Sequence, residues 1–146
     1  MDWAADLGGG TRVALIQAGT FRSDAGALFG PVPRILWDRL VTEEIDGDHR
    51  LLQALNCLVV ETPGGRVLVE TGIGERVGDK VREMRGYLGT PIVPAMTAAG
   101  FDPASVDVVA MSHLHFDHAG GLLRAGGEPA FPRARIVAQR AEWEIA

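Results

Sequence analysis

The sequence predicts a mixed α/β fold with helices covering a sheet, and three observations carry that prediction. Two apolar, β-rich runs at 51–61 and 66–70 are separated by Thr62-Pro63-Gly64-Gly65, the turn chemistry expected between antiparallel strands. A well-delimited helical segment follows at 90–100. A further apolar strand at 106–112 and another at 136–138 come after it, and strand–helix–strand order argues for a sheet packed against helices.

Taken in order, residues 11–19 (Thr-Arg-Val-Ala-Leu-Ile-Gln-Ala-Gly) are rich in β-formers and bounded by glycines, so they read as a first, partly buried strand. Residues 20–50 mix Gly26, Gly30, Pro31, Pro33 and Gly47 with the isolated large side chains Phe21, Phe29 and Trp37. This composition predicts a long surface loop with about one turn of helix, its aromatics either anchoring it to the core or closing over a substrate. The hairpin 51–70 comes next. In 75–85, Val77, Val81 and Met84 fall at helical spacing while Gly78 and Gly86 shorten the segment. Thr90, Pro91 and Gly100 then supply an N-cap, an N1 proline and a C′ glycine for one helix. The strands 106–112 and 136–138 are expected to be mostly buried, and 139–146 begins a last helix.

Composition narrows the function. The chain has 146 residues, 47% hydrophobic and 23% charged, with a net charge of −5, which fits a single globular domain spanning 1–146. The scattered basic residues disfavour a nucleic-acid partner. No uncharged apolar run approaches the length of a membrane span, and Met1-Asp2-Trp3-Ala4-Ala5-Asp6 lacks the basic and apolar regions of a secretory leader. The single Cys57, set among apolar neighbours, reads as a buried structural thiol, and a cytoplasmic, reducing compartment is expected.

The chemistry concentrates in one place. Three of the four histidines fall within His113-Leu114-His115-Phe116-Asp117-His118, directly after a predicted strand, and Ala119-Gly120-Gly121 follows. A strand running out into a loop can aim these imidazoles and the carboxylate into one pocket, which is what a divalent metal needs, and the glycines let the backbone turn or approach closely. The bland alternative is a solvated turn, or histidines that satisfy buried backbone groups. Three histidines with an interleaved aspartate outweigh it. The isolated His49, in Asp46-Gly47-Asp48-His49-Arg50, is expected to be an ordinary exposed loop residue, and Phe116 to be a wall or core residue.

The stretch from Ser112 to Gly121 resembles the HxHxDH signature of the metallo-β-lactamase-fold hydrolases, especially the acyl-homoserine lactonases and methyl parathion hydrolase-type enzymes. Val67-Leu68-Val69-Glu70-Thr71-Gly72 is similar to that family's strand ending in Asp-Thr-Gly, and Ala98-Ala99-Gly100-Phe101-Asp102-Pro103 is similar to its approach to the motif strand. The resemblance implies the N-terminal half of an αββα sandwich. It implies two zinc ions, the first held by His113 and His115, the second by Asp117 and His118, with a hydroxide between them that Asp117 orients or deprotonates. It further implies hydrolysis of a lactone or ester bond in a small-molecule substrate. Two departures stand out. Glu70 occupies the place of the family's aspartate, and no His or Asp follows His118 to supply the family's remaining ligands. The chain is therefore expected to hold zinc less tightly than a complete site and to depend on a missing C-terminal half or a homo-oligomer. The competing expectation is a non-catalytic, truncated half-domain that acts by association.

Overall fold

The computed structural model describes residues 3–41 and 45–145, and its organising feature is one six-stranded sheet in the order β1-β2-β3-β4-β5-β6. The first strand, β1 (Trp3–Gly8), pairs antiparallel with β2 (Thr11–Asp24). The sequence pattern places the first strand at 11–19 and does not predict β1. Nor does β2 stop at Gly19: a bulge between Gln17 and Thr20, with Gly19 at φ +108°, absorbs one irregularity and lets the strand continue to Asp24. A Cβ on Gly19 would lie 2.9 Å from the Tyr87 ring, so a glycine is required there.

The expected loop 20–50 is thus corrected in both halves. Its start is strand. The remainder carries α1 (Ala25–Phe29), capped by Asp24 accepting from the Ala27 amide at 2.7 Å, then α2 (Arg34–Trp37) and a 3-10 turn, Asp38–Leu40. Phe29 stacks on buried Trp37 at 4.7 Å, so these aromatics anchor the segment on itself.

The hairpin follows the sequence pattern closely, with β3 (Arg50–Thr62) and β4 (Gly65–Val69) antiparallel. Thr62 Oγ1 closes the turn, accepting from the Gly64 amide and donating to the Gly65 carbonyl. The next helix, α3 (Asp79–Met84), is short, as expected, with the extended Gly78 as its N-cap. In α4 (Ile92–Ala98) the boundary shifts by one residue: Pro91, not Thr90, is the N-cap, and no side chain caps the helix. Its C-terminus ends as predicted, with Gly100 at φ +85° and the Phe101 amide donating to Met96 O.

Two parallel strands complete the sheet, β5 (Val108–Ala110) beside β4 and β6 (Arg135–Val137) beside β5. Both are only three residues long. Between them lie α5 (Phe116–Ala119) and a 3-10 turn, Gly120–Leu122, and after β6 comes α6 (Arg140–Ile145). The expectation of a buried β6 is corrected, since all three of its residues are exposed.

Register fixes the two faces. Ala14, Val59, Leu68 and Val109 are paired across four strands and buried, and Ile92 and Met96 of α4 join them in one core. The opposite face presents the rows Leu15-Leu58-Val69-Ala110 and Val13-Val60-Val67-Val108, all only partly buried. Helices therefore cover one side of the sheet and leave an apolar side half open. Among the described residues no helix is long and apolar enough to cross a membrane.

Candidate functional site

Parallel strands aim their following loops at the same sheet end, and here that end carries the histidines. β5 ends at Ala110. The Met111 amide still donates to Val137 O at 2.8 Å, after which the chain leaves the sheet and the three histidines follow within six residues. His115 is the N-cap of α5, and its carbonyl accepts from the amides of His118 and Ala119 at 3.0 and 2.9 Å. This one-turn helix folds His118 back over His113.

The three rings cluster as a result. The His113 ring centroid lies 3.9 Å from that of His118 and 4.6 Å from that of His115. Asp117 Oδ2 is 3.4 Å from His118 Nε2. All four residues singled out from the sequence are therefore brought to one place. The clustered rings do not point at a common centre: among the described residues, no group of three or more His, Cys, Asp or Glu side chains is arranged to hold a metal ion as it stands.

The donor chemistry nevertheless fits a divalent metal. A ligating imidazole needs one nitrogen committed to a hydrogen bond so that the other presents its lone pair. His118 Nδ1–H donates to Glu70 Oε2 at 3.1 Å, and His113 Nδ1 lies 2.9 Å from Ser112 Oγ, so Nε2 of both rings carries the lone pair when Nδ1 carries the proton. Glu70 thus performs an orienting role in spite of its extra methylene. It does so from a left-handed backbone conformation, φ +66°, unusual for a side-chain-bearing residue, and its second oxygen accepts from the Ser112 amide at 2.9 Å.

A second grip holds His118 from behind. Buried Thr71 donates both its amide and its hydroxyl to the His118 carbonyl, at 2.9 and 2.7 Å, and the Gly121 amide donates to Gly72 O at 3.1 Å. Gly120 and Gly121 are required for this: a Cβ on Gly120 would stand 2.7 Å from the Ile73 carbonyl carbon, and one on Gly121 3.0 Å from that of Thr71. The close-approach role expected of the two glycines is what the backbone uses.

Around the cluster the walls differ. A cavity of about 210 Å³ is lined by Phe21, Gln53, Asn56, Glu70, Asp117 and His118. Beside it an apolar groove of about 1120 Å³ is lined by residues that include Leu114, Phe116, Ile136 and Trp143. Phe116 is 45% exposed, which corrects any placement in the core; its ring meets Phe21 edge-on at 6.2 Å and carries the Arg85 guanidinium at 5.5 Å. His49 is exposed, as expected, 3.3 Å from Arg34. Cys57 is fully buried, and burial, with the Glu70 charge second, pushes its thiol up to about 12. Sequence reading missed Thr71 and also Glu142, whose carboxylate reaches the Leu114 amide at 3.3 Å. Thr71 lies in the segment that resembles the family's Asp-Thr-Gly, where its grip on the His118 carbonyl could have been sought, whereas Glu142 sits in no pattern that spacing could have revealed.

Residues 52–144 match the model of the metallo-beta-lactamase superfamily, close to two thirds of the chain. The chain belongs to that superfamily. A curated relative, an N-acyl homoserine lactonase of Bacillus cereus, is 32% identical over 130 residues, 81% of this chain and 50% of that protein. Among solved structures, a probable metal-dependent hydrolase from Staphylococcus aureus matches with a TM-score of 0.85 at 27% identity, covering 93% of this chain and 49% of the other. An N-acyl homoserine lactone hydrolase with the product N-hexanoyl-L-homoserine bound at its catalytic metal centre matches with a TM-score of 0.59 at 28% identity, over 90% and 50% of the two chains. This metallo-β-lactamase chain spans about half the length of the relatives it matches, and its six-stranded mixed sheet is consistent with the superfamily fold.

Proposed function

We propose that this chain is the metal-binding half of a zinc-dependent hydrolase that opens lactone or ester bonds, with N-acyl homoserine lactones as the favoured substrate class. The observation that carries the reading is the clustering of His113, His115 and His118 with the Nδ1 atoms of two of them already engaged. The similarity to N-acyl homoserine lactonases supports the bond type and the small-molecule substrate.

In this reading His113 and His115 hold one zinc, and Asp117 and His118 hold a second. When bound, zinc supplies Lewis acidity, which makes water nucleophilic at neutral pH and polarises the carbonyl under attack. The chain's own residues do the rest. Glu70 and Ser112 keep the imidazoles in the tautomer that presents Nε2. Asp117, next to His118 on the cavity wall, orients the attacking water and accepts its proton. Phe116 and the apolar groove beside it suit a substrate with an aliphatic tail.

One observation favours a second reading, a non-catalytic half-domain: among the described residues no group of three or more His, Cys, Asp or Glu side chains is arranged to hold a metal ion as it stands. Zinc titration and lactone hydrolysis separate the two. The hydrolase reading expects zinc to bind this chain and to be weakened by His113→Ala and by His118→Ala. It also expects a form extended by a C-terminal half to open N-hexanoyl homoserine lactone, with turnover that Asp117→Asn cuts by about 10²-fold or more. Absence of zinc above a double-histidine variant, together with no turnover in the extended form, refutes it.

A further inference from the structure

We propose that Glu142 of α6 is a positioning residue for the histidine loop, one jaw of a two-carboxylate clamp whose other jaw is Glu70. The argument starts from backbone accounting, since every amide in a tight loop needs an acceptor. Along the loop, Met111 donates to Val137 O, while His118 and Ala119 donate to His115 O. The Ser112 and Leu114 amides instead reach side chains: Ser112 donates to Glu70 Oε1 at 2.9 Å and Leu114 to Glu142 Oε2 at 3.3 Å. His113 lies between these two amides, and His115 directly follows the second. Two carboxylates from different elements therefore set the backbone on which both imidazoles stand.

The surroundings of Glu142 favour this role over simple surface decoration. Of the residues of α6, Arg140–Ile145, Glu142 alone is not exposed; Trp143 stands 76% exposed beside the apolar groove. A helix so little buried is not docked by apolar contact, and its one inward side chain points a negative charge at the loop. A carboxylate so placed does two things at once. It fixes the Leu114 peptide plane, and its field favours a cation at the neighbouring imidazoles.

The inference rests on the metal-binding reading of the loop, and its test separates the two. The measurements are hydrogen exchange of the Leu114 amide by NMR and zinc affinity by competition with a chromophoric chelator, on the full chain. Glu142→Ala is expected to speed Leu114 exchange at least about tenfold and to weaken zinc about tenfold, the range typical for loss of a group that orients a metal ligand. Glu142→Gln, whose amide oxygen still accepts, should restore most of both. Glu144→Ala, at an exposed position of the same helix, should change neither. Unchanged Leu114 exchange in Glu142→Ala overturns the clamp, and so does faster exchange with zinc affinity unaltered. If the wild-type chain takes up no zinc, the metal reading fails by itself. The clamp is then decided by the ring-proton shifts of His113 and His115, which must move in Glu142→Ala and return in Glu142→Gln, or the proposal falls.

Discussion

Gly121→Ala tests whether the histidine loop is held by direct contact of two backbones. Gly121 does not need a left-handed conformation, so the substitution adds volume and nothing else. The new Cβ would stand 3.0 Å from the Thr71 carbonyl carbon and 3.0 Å from Ile92 Cγ2, against an ordinary carbon contact of about 3.5–4.0 Å. The isoleucine side chain is buried in the core and the other neighbour is main chain, so relief must come from moving residues 71–72 away from 118–121. Overpacking of this kind costs about 1–3 kcal/mol. The displacement also stretches the main-chain bonds from the Thr71 amide to His118 O and from the Gly121 amide to Gly72 O, each worth about 1 kcal/mol. A loss of about 3–5 kcal/mol follows, which at roughly 3 °C per kcal/mol for a chain of this size lowers Tm by about 10–15 °C. Thermal unfolding followed by far-UV circular dichroism reads it. Gly78→Ala is the control, because a Cβ there meets open space at an ordinary backbone angle, and its Tm should stay within about 2 °C. If Gly121→Ala melts as close to wild type as the control does, the two loops are not locked and the argument from the glycines is wrong.

The buried thiol and the half-open sheet face make two further predictions. With its thiol pushed from 9.0 up to about 12, Cys57 should resist alkylation at pH 8 in the folded chain and react only on unfolding. Because the folded value lies above the unfolded one, its contribution to stability is complete below pH 9 and is lost as pH rises from there toward 12; the urea midpoint of wild type should fall more steeply across that window than that of Cys57→Ala, and equal slopes would contradict the burial argument. The partly exposed rows around Leu58 and Val67 should make the isolated chain self-associate, with Leu58→Lys shifting light-scattering mass toward the monomer; a monodisperse wild-type monomer removes the face as the cause.

What could be read from the sequence was what is encoded locally. The 51–70 hairpin is set by two apolar runs and the Pro63-Gly64 turn between them, and the metal-ligand candidates all lie within one six-residue stretch after β5, so neighbours in sequence are neighbours in space. The continuation of β2 past Gly19 was hidden because a glycine at a bulge looks like a glycine at a strand end; only the pairing of Phe21 and Arg22 with Gln53 and Leu52 distinguishes them. The β6 strand is apolar for a face that nothing among the described residues covers, so its composition promised a burial that the groove beside Ile136 and Trp143 withholds. The same distinction runs through the site. Which residues carry nitrogen and oxygen donors is a property of the motif, but how they are held depends on partners far along the chain: Glu70, 48 residues from His118, orients that ring, and Glu142, 28 residues from Leu114, accepts from the backbone amide between His113 and His115. Hydrogen bonds across such separations leave no periodicity, because the intervening fold fixes their geometry and the carboxylate needs only to be long enough to reach. Glu70 makes the point physically: a left-handed backbone with a longer arm still delivers both oxygens, one to Ser112 and one to His118, so the identity of the acid at that place matters less than the two atoms it meets.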